Sequence, residues 1–388
     1  MLYQPPLSPI YNRLSDGQLD ARIREAKARL GSSLAILGHH YQMDEVIDYA
    51  DHCGDSFKLS QIAANLPDAR YIVFCGVHFM AESADILTGG TRSVILPDLS
   101  AGCSMADMAE IGQLEAAWEE LSDTLPPGTR LVPVTYVNSS AAVKAFVGTH
   151  GGACCTSSNA TSVVRWALSG GQWASEDDRP EGPVKLLFLP DQHLGRNTLL
   201  AMGYALDAML VWDPQAELGG HTPEALRTAT AFLWKGHCSV HQLFKPEQVD
   251  QIRQADPGIQ VIVHPECRYE VCQKADFVGS TEFIIRTVQD APAGTRWAVG
   301  TEIHLVNRLA RQQADAGKVV QSLSGIQCLC TTMYRIDRKH LCWVLDELIA
   351  GRVVNQIRVP PAIREQSLLA LERMLAHAGS GRIAMAVD

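Results

Sequence analysis

Residues 34–56, LAILGHHYQMDEVIDYADHCGDS, decide how the chain is read. An apolar run of strand length that ends on Gly-His-His is the pattern of a buried parallel strand, and MDEVIDYA after it carries helical spacing. HCGDS then breaks the pattern as a loop, and the alternation continues through helix FKLSQIAANL, strand YIVFCG, helix HFMAESADIL, strand SVILPDL and the loop AGCSMADM, which ends this block on Cys103. Short strands alternating with helices build parallel sheets covered by helices, and ligands of such sheets sit beyond the carboxyl ends of the strands.

The block occurs three times. The second copy runs from strand LVPVTYVN through helix SSAAVKAF, loop HGGACCTSS, helix NATSVVRWAL, strand KLLFLPD, helix RNTLLAMGY and strand AMLVWDP, then by a longer loop to Cys238 in WKGHCSVH. The third runs from strand IQVIVHPE through helix CRYEVCQKA, loop DFVGS, helix TEFIIRTV, strand RWAVG, helix EIHLVNRLA and strand KVVQSL to the loop IQCLCTTM, ending on Cys328 or Cys330. A polar residue closing each first strand precedes a loop serine by similar intervals: His39 and Ser56, Asn138 and Ser157, His264 and Ser280. The excess length of the middle copy falls in polar, Gly/Pro-bearing stretches such as 169–183, which read as loop insertions.

The 388 residues suit several α/β units, with hydrophobic residues at 46%. Forty-three acidic against 33 basic residues give a net charge of -10, which argues against a surface that tracks nucleic-acid phosphates. No stretch reads as a membrane span or signal peptide, so a cytoplasmic location is the expectation. Eleven cysteines in a reducing compartment direct attention to metal or catalysis.

If the three copies pack about a pseudo-threefold axis, one thiolate per copy converges on a point, and three soft ligands suit an iron–sulfur cluster or zinc. Three thiolates on a four-iron cluster leave one iron open to substrate as a Lewis acid. Cys53, Cys75, Cys154, Cys155, Cys267, Cys272 and Cys342 read as buried small hydrophobes. The serines of GDS, CTS and GST are expected at helix N-termini, where a hydroxyl and amides bind carboxylates or phosphate, so the substrate should be small and multiply anionic. His39, Tyr41, His241, His264 and Glu266 supply acid–base capacity, with Glu266 beside His264 as a base.

GHHYQ at 38–42, GDS at 54–56, GVHFMAESADIL at 76–87, LPDLSAGCSMADM at 96–108, TYVNSSAAVKA at 135–145, CTSSNA at 155–160, LPDQHLGRN at 189–197, GHCSVH at 236–241, HPEC at 264–267, GST at 279–281 and CLCTTMYRID at 328–337 resemble the quinolinate synthase family. The likeness covers about residues 30–375. It implies an α/β fold of three pseudo-threefold-related αβα sandwich (Rossmann-like) domains around a central 4Fe-4S cluster. Their expected bounds are 1–108 with C-terminal helices 336–388, then 109–241, then 242–335.

The implied reaction condenses iminoaspartate with dihydroxyacetone phosphate to quinolinate in NAD biosynthesis, with an L-aspartate-oxidising enzyme as a supplier of iminoaspartate. By position the resemblance makes Cys103, Cys238 and, through its Cys-x-x-Met context, Cys330 the cluster ligands. It places His39, Ser56, Met80, Tyr136, Asn138, Ser157, His241, His264, Glu266, Ser280 and Thr281 on substrate, and Glu266, His264 and Tyr41 at the proton transfers. His40 departs from the pattern, many members carrying Asn there. Two other classes use such thiolates: a zinc-dependent lyase and a non-enzymatic iron–sulfur redox sensor.

Overall fold

The computed structural model describes residues 4, 6–173, 182–326, 328–379, 381–383 and 385. Among them the strands are β1 Leu34–His39, β2 His52–Gly54, β3 Tyr71–Cys75, β4 Ser93–Ile95, β5 Arg130–Tyr136, β6 Ala153–Cys155, β7 Val184–Leu189, β8 Met209–Trp212, β9 Ala231–Trp234, β10 Gln260–Val263, β11 Phe277–Val278, β12 Arg296–Gly300, β13 Val319–Ser322 and β14 Gln356–Ile357. They form three sheets, ordered β14-β4-β3-β1-β2, β6-β5-β7-β9-β8 and β11-β10-β12-β13. Every neighbouring pair is parallel except β14 with β4. The chain is an α/β protein with three parallel sheets.

By its contacts the chain forms two compact units, residues 1–103 with 329–364 and residues 104–328 with 365–388. The first unit holds the first sheet and the second unit holds the other two. All six residues of β1 are buried, as the uninterrupted apolar run requires of a strand covered on both faces.

Each sheet repeats one arrangement, with the first strand of the copy flanked by a very short edge strand on one side and by the copy's next long strand on the other. The edge strands HCG, ACC and FV lie in stretches read above as loops. Two or three residues are too short to show a period of two, and it is the ladder that makes them strands: His39 lies opposite Gly54, Tyr136 opposite Cys155 and Val263 opposite Val278. A second correction concerns the middle copy. Its strand beside β7, equivalent to β4 beside β3 and β13 beside β12, is β9 and not AMLVWDP, which forms the additional edge strand β8. The long connection to Cys238 thus contains a helix, Pro223–Thr228, and a fully buried strand, AFLW. Of the insertion expected at 169–183, residues 174–181 lie outside the described residues.

Within the second unit, residues 365 onward of the last helix lie on helix Ala141–Thr149, and buried Ser367 donates to the Ala141 carbonyl at 2.7 Å. The helices meet closely at Gly148, where a Cβ would stand 2.2 Å from the Gln366 carbonyl oxygen. Helix propensity favours Ala over Gly, so packing and propensity act here with opposite sign. We expect Gly148→Ala to destabilise by about 1–3 kcal/mol despite its better propensity. Gly112→Ala, in a helix where a Cβ meets nothing within 4 Å, should be neutral or slightly stabilising. Thermal unfolding of the two variants checks this; a raised melting temperature for Gly148→Ala removes the close approach from the account.

Candidate active site

In the second unit four strand ends supply one cluster of side chains. Tyr136 closes β5, the segment after β9 leads to Cys238 and His241, His264 and Glu266 follow β10, and Thr301 follows β12. Glu266 and His241 form its centre: Oε2 accepts from His241 Nδ1 at 2.7 Å, and the two side chains are 4% and 1% exposed. The far nitrogen of His241 lies 3.1 Å from the Thr301 hydroxyl. The rings of His241 and His264 stack with centroids 4.5 Å apart and 18° between planes. His264 Nδ1 accepts from the Glu266 amide at 3.3 Å, so its proton is on Nε2, which donates to Ser157 Oγ at 3.2 Å.

Burial of Glu266 favours its neutral form, but the imidazoles of His264 and His241 and hydrogen bonds from His241 and Tyr136 outweigh it and hold the carboxyl at about 2. Glu266 is therefore charged at neutral pH. His264 is pushed down to about 3, chiefly because burial opposes its charged form, with His241 adding to the effect, and it is a neutral donor. The site thus keeps one carboxylate charged by surrounding it with ring and hydroxyl donors instead of water.

The three loop serines do not share the expected role. Ser280 caps helix Thr281–Asp290, accepting from the Phe283 amide at 3.3 Å. In the first copy the cap is Asp55, which accepts from the Lys58 amide, and Ser56 is the first helical residue. The stronger carboxylate acceptor takes the position one residue earlier. In the second copy Thr156 and Asn159 close a turn of their own, with the Thr156 amide donating to Asn159 Oδ1 at 2.8 Å, and Ser157 serves His264 instead. Asn138, after β5, is half-buried with a buried Oδ1 that has no hydrogen-bond partner. Thr281 is buried at the first turn of the Ser280-capped helix.

In the first unit His39 is buried at the end of β1, its Nδ1 accepts from the Tyr41 amide at 3.1 Å, and its ring meets that of Tyr41 edge-on with centroids 4.7 Å apart. Met80 is buried in helix His78–Leu87, whose first amide donates to the Ala101 carbonyl at 2.9 Å, two residues before Cys103. Arg335, in the turn after Cys330, donates to Ser100 Oγ at 3.2 Å and so ties the segments of Cys103 and Cys330 within this unit.

The cysteines divide by exposure. Cys103, Cys238 and Cys330 are half-exposed, whereas Cys75, Cys154, Cys155, Cys267, Cys272, Cys328 and Cys342 are buried. Cys53 departs from its reading as a buried hydrophobe: it is half-exposed, with Sγ 3.2 Å from His40 Nδ1. Cys328 is buried in the second unit, where desolvation pushes its thiol up and its carbonyl accepts from the Ile303 amide at 3.0 Å. That burial favours Cys330 as the residue of the pair open to a metal. Cys238 Sγ, a His241 ring nitrogen and a Glu266 oxygen lie within 4.8 Å of one another, close enough to hold a metal ion. Thr301 escaped the reading of the sequence, although its place directly after a strand of the repeat, RWAVG, was a signal available there.

A half-exposed thiol beside a buried imidazole and carboxylate at the carboxyl ends of parallel strands defines an α/β enzyme equipped for metal-assisted, proton-moving chemistry. Residues 21–376 match the family described as NadA: Quinolinate synthetase A protein. The chain is 58% identical over 372 residues to the quinolinate synthase of Herpetosiphon aurantiacus, covering 95% of both chains. It is 57% identical over 365 residues to that of Acidobacterium capsulatum, covering 94% of each. To that of Rhodopirellula baltica it is 51% identical over 382 residues, covering 96% of this chain and 93% of the relative. The chain belongs to the quinolinate synthetase A family.

The exposure pattern makes a direct prediction for metal-free, folded protein treated with a thiol reagent: four of the eleven cysteines react rapidly and seven only on unfolding. Cys328→Ala should leave the rapid count unchanged and Cys330→Ala should lower it by one. The opposite result exchanges the two residues.

Proposed function

We propose that the quinolinate synthase reaction of NAD biosynthesis, which belongs to this chain through its family, proceeds here by condensing iminoaspartate with dihydroxyacetone phosphate, with Glu266 moving protons against His241. The observation that carries the reading is the 2.7 Å contact between the buried Glu266 carboxylate and His241 Nδ1, beside Cys238. The reaction loses phosphate and water and forms a carbon–carbon bond and a carbon–nitrogen double bond, so protons must leave carbon and reach departing oxygen. Glu266 is charged and shielded from water, which fits it to accept a proton from carbon and return it to departing oxygen, with His241 orienting the carboxylate. Neutral His264, its Nε2 proton directed to Ser157, donates without competing for that proton. The amides at the Ser280-capped helix end can hold a carboxylate or phosphate group, and His39 and Tyr41 contribute further donors.

A 4Fe-4S cluster held by Cys103, Cys238 and Cys330 fits the residues present, because these three thiols follow strands of three different sheets and are among the half-exposed ones. When bound it supplies a Lewis-acidic iron for a substrate oxygen. In this reading the three sheets belong to three αβα domains with bounds near 108 and 241, related by a pseudo-threefold axis and acting in the cytoplasm. An L-aspartate-oxidising enzyme is the source of iminoaspartate. A second reading is favoured by the closeness of Cys238, His241 and Glu266, which as a thiolate, imidazole and carboxylate set suits zinc. Iron and acid-labile sulfide in anaerobically purified protein separate the two.

Glu266→Gln keeps size but cannot accept a proton. The variant should fold, retain iron and sulfide and bind dihydroxyacetone phosphate, while quinolinate formation falls by about 10²- to 10⁴-fold. Near-normal turnover at full cluster occupancy rejects Glu266 as the base, and loss of metal together with turnover favours the zinc reading.

A further inference from the structure

We infer that Asn197 is the positioning residue for Glu266, clamping the main chain on both sides of it; the inference rests on the reading of Glu266 as the base. The segment LPDQHLGRN, 189–197, is otherwise unused by the chemistry. Asp191 starts helix Gln192–Ala201 by accepting from the His193 and Leu194 amides at 2.7 and 2.8 Å. Gly195 then lets the helix lie close on the sheet, since a Cβ there would stand 2.8 Å from Phe188 and 2.9 Å from Leu233, side chains of β7 and β9. That close seat carries Asn197, fully buried at 0% exposure, to the turn after β10.

Asn197 Nδ2 donates to the Pro265 carbonyl at 2.7 Å and to the Cys267 carbonyl at 2.9 Å, and lies 3.3 Å from Cys272 Sγ. Two carbonyls at these distances require the donor end of the amide, which fixes its orientation. The carbonyls belong to the residues immediately before and after Glu266, and the turn is closed by the Cys267 amide donating to the His264 carbonyl at 3.0 Å. Asn197 Oδ1 is buried without a hydrogen-bond partner, so the amide is retained at a cost that an apolar side chain would not incur.

The same helix also holds the other half of the Glu266–His241 pair. The Gln192 amide donates to the Gly236 carbonyl at 3.0 Å, Asp191 forms a single parallel bridge with Gly236, and a Cβ on Gly236 would stand 2.3 Å from the Pro190 carbonyl. Gly236 leads directly to Cys238 and His241. One rigid helix therefore references both partners of the 2.7 Å contact, Asn197 on the Glu266 side and residues 190–192 on the Cys238–His241 side.

The test uses cluster-loaded enzyme under anaerobic conditions. Asn197→Asp keeps the shape and replaces the double donor by an acceptor facing two carbonyls; Asn197→Ala simply removes it and carries the test if the first variant does not fold. Misplacing a catalytic group by a fraction of an ångström to 1 Å lowers the rate by up to about 10²-fold. We expect kcat to fall by about 10- to 100-fold, KM for dihydroxyacetone phosphate to stay within about threefold, and iron and sulfide per chain to match the unsubstituted protein. In a Glu266→Gln background, Asn197→Ala should change kcat by less than about twofold, because the group it positions is already disabled. Independent, multiplying losses in the double variant, iron loss in proportion to lost turnover, or a kcat within twofold of normal in the single variants each overturn the inference while leaving Glu266 as base. Normal turnover of Glu266→Gln alone overturns the underlying reading instead.

Discussion

A carboxylate kept charged after complete removal from water must be surrounded by donors, and the second unit is organised to meet that demand at Glu266. The uncompensated penalty for such an ion is several kcal/mol, more than any single neutral hydrogen bond returns. The compensation comes from hydrogen bonds donated by His241 and Tyr136, brought in by the ends of β9 and β5, with Thr301 placed behind His241. Removing any of these strands from its sheet would leave part of the charge unanswered.

Parallel sheets supply this naturally, because their long strands point their carboxyl ends the same way and release the chain there into loops free of ladder constraints. The short edge strands β2, β6 and β11 extend the benefit: each pairs with the first strand of its copy shortly before the loop serine of that copy. Glycines then set how near the covering layers come. Gly195 seats its helix on the Phe188 and Leu233 side chains and Gly236 brings its strand end against the Pro190 carbonyl, so the segments of Glu266 and His241 are both referenced to one helix.

Much was legible before folding was considered. The three β1-, β5- and β10-type strands, the helices after them and the recurring cysteine could be read from apolar runs and phase, since a strand buried on both faces announces itself as an uninterrupted run. What was missed was short or nonlocal. AFLW, four residues long, is a central strand of its sheet because β7 and β8 flank it, while the longer run AMLVWDP lies at the edge. The serine loops looked alike, yet Asp55 and the Thr156–Asn159 turn change what Ser56 and Ser157 do, which is a competition among local acceptors that spacing does not rank.

The division between the two sources of information follows from the range of the forces involved. Residue order alone determined the α/β class, the repetition, the membership of a family and the set of residue types able to hold metal and move protons, because all of these depend on periodicity and composition along the chain. Tertiary structure alone decided between partners of equal local standing. It made Cys328 a buried thiol and left Cys330 half-exposed, gave His241 and not the sequence neighbour His264 the short contact with Glu266, and turned Asn197 from one polar residue of a helix into the clamp on the turn that carries Glu266. Burial and hydrogen-bond geometry depend on segments far apart in the chain, and no local pattern encodes which of two adjacent donors the fold will bring within 3 Å.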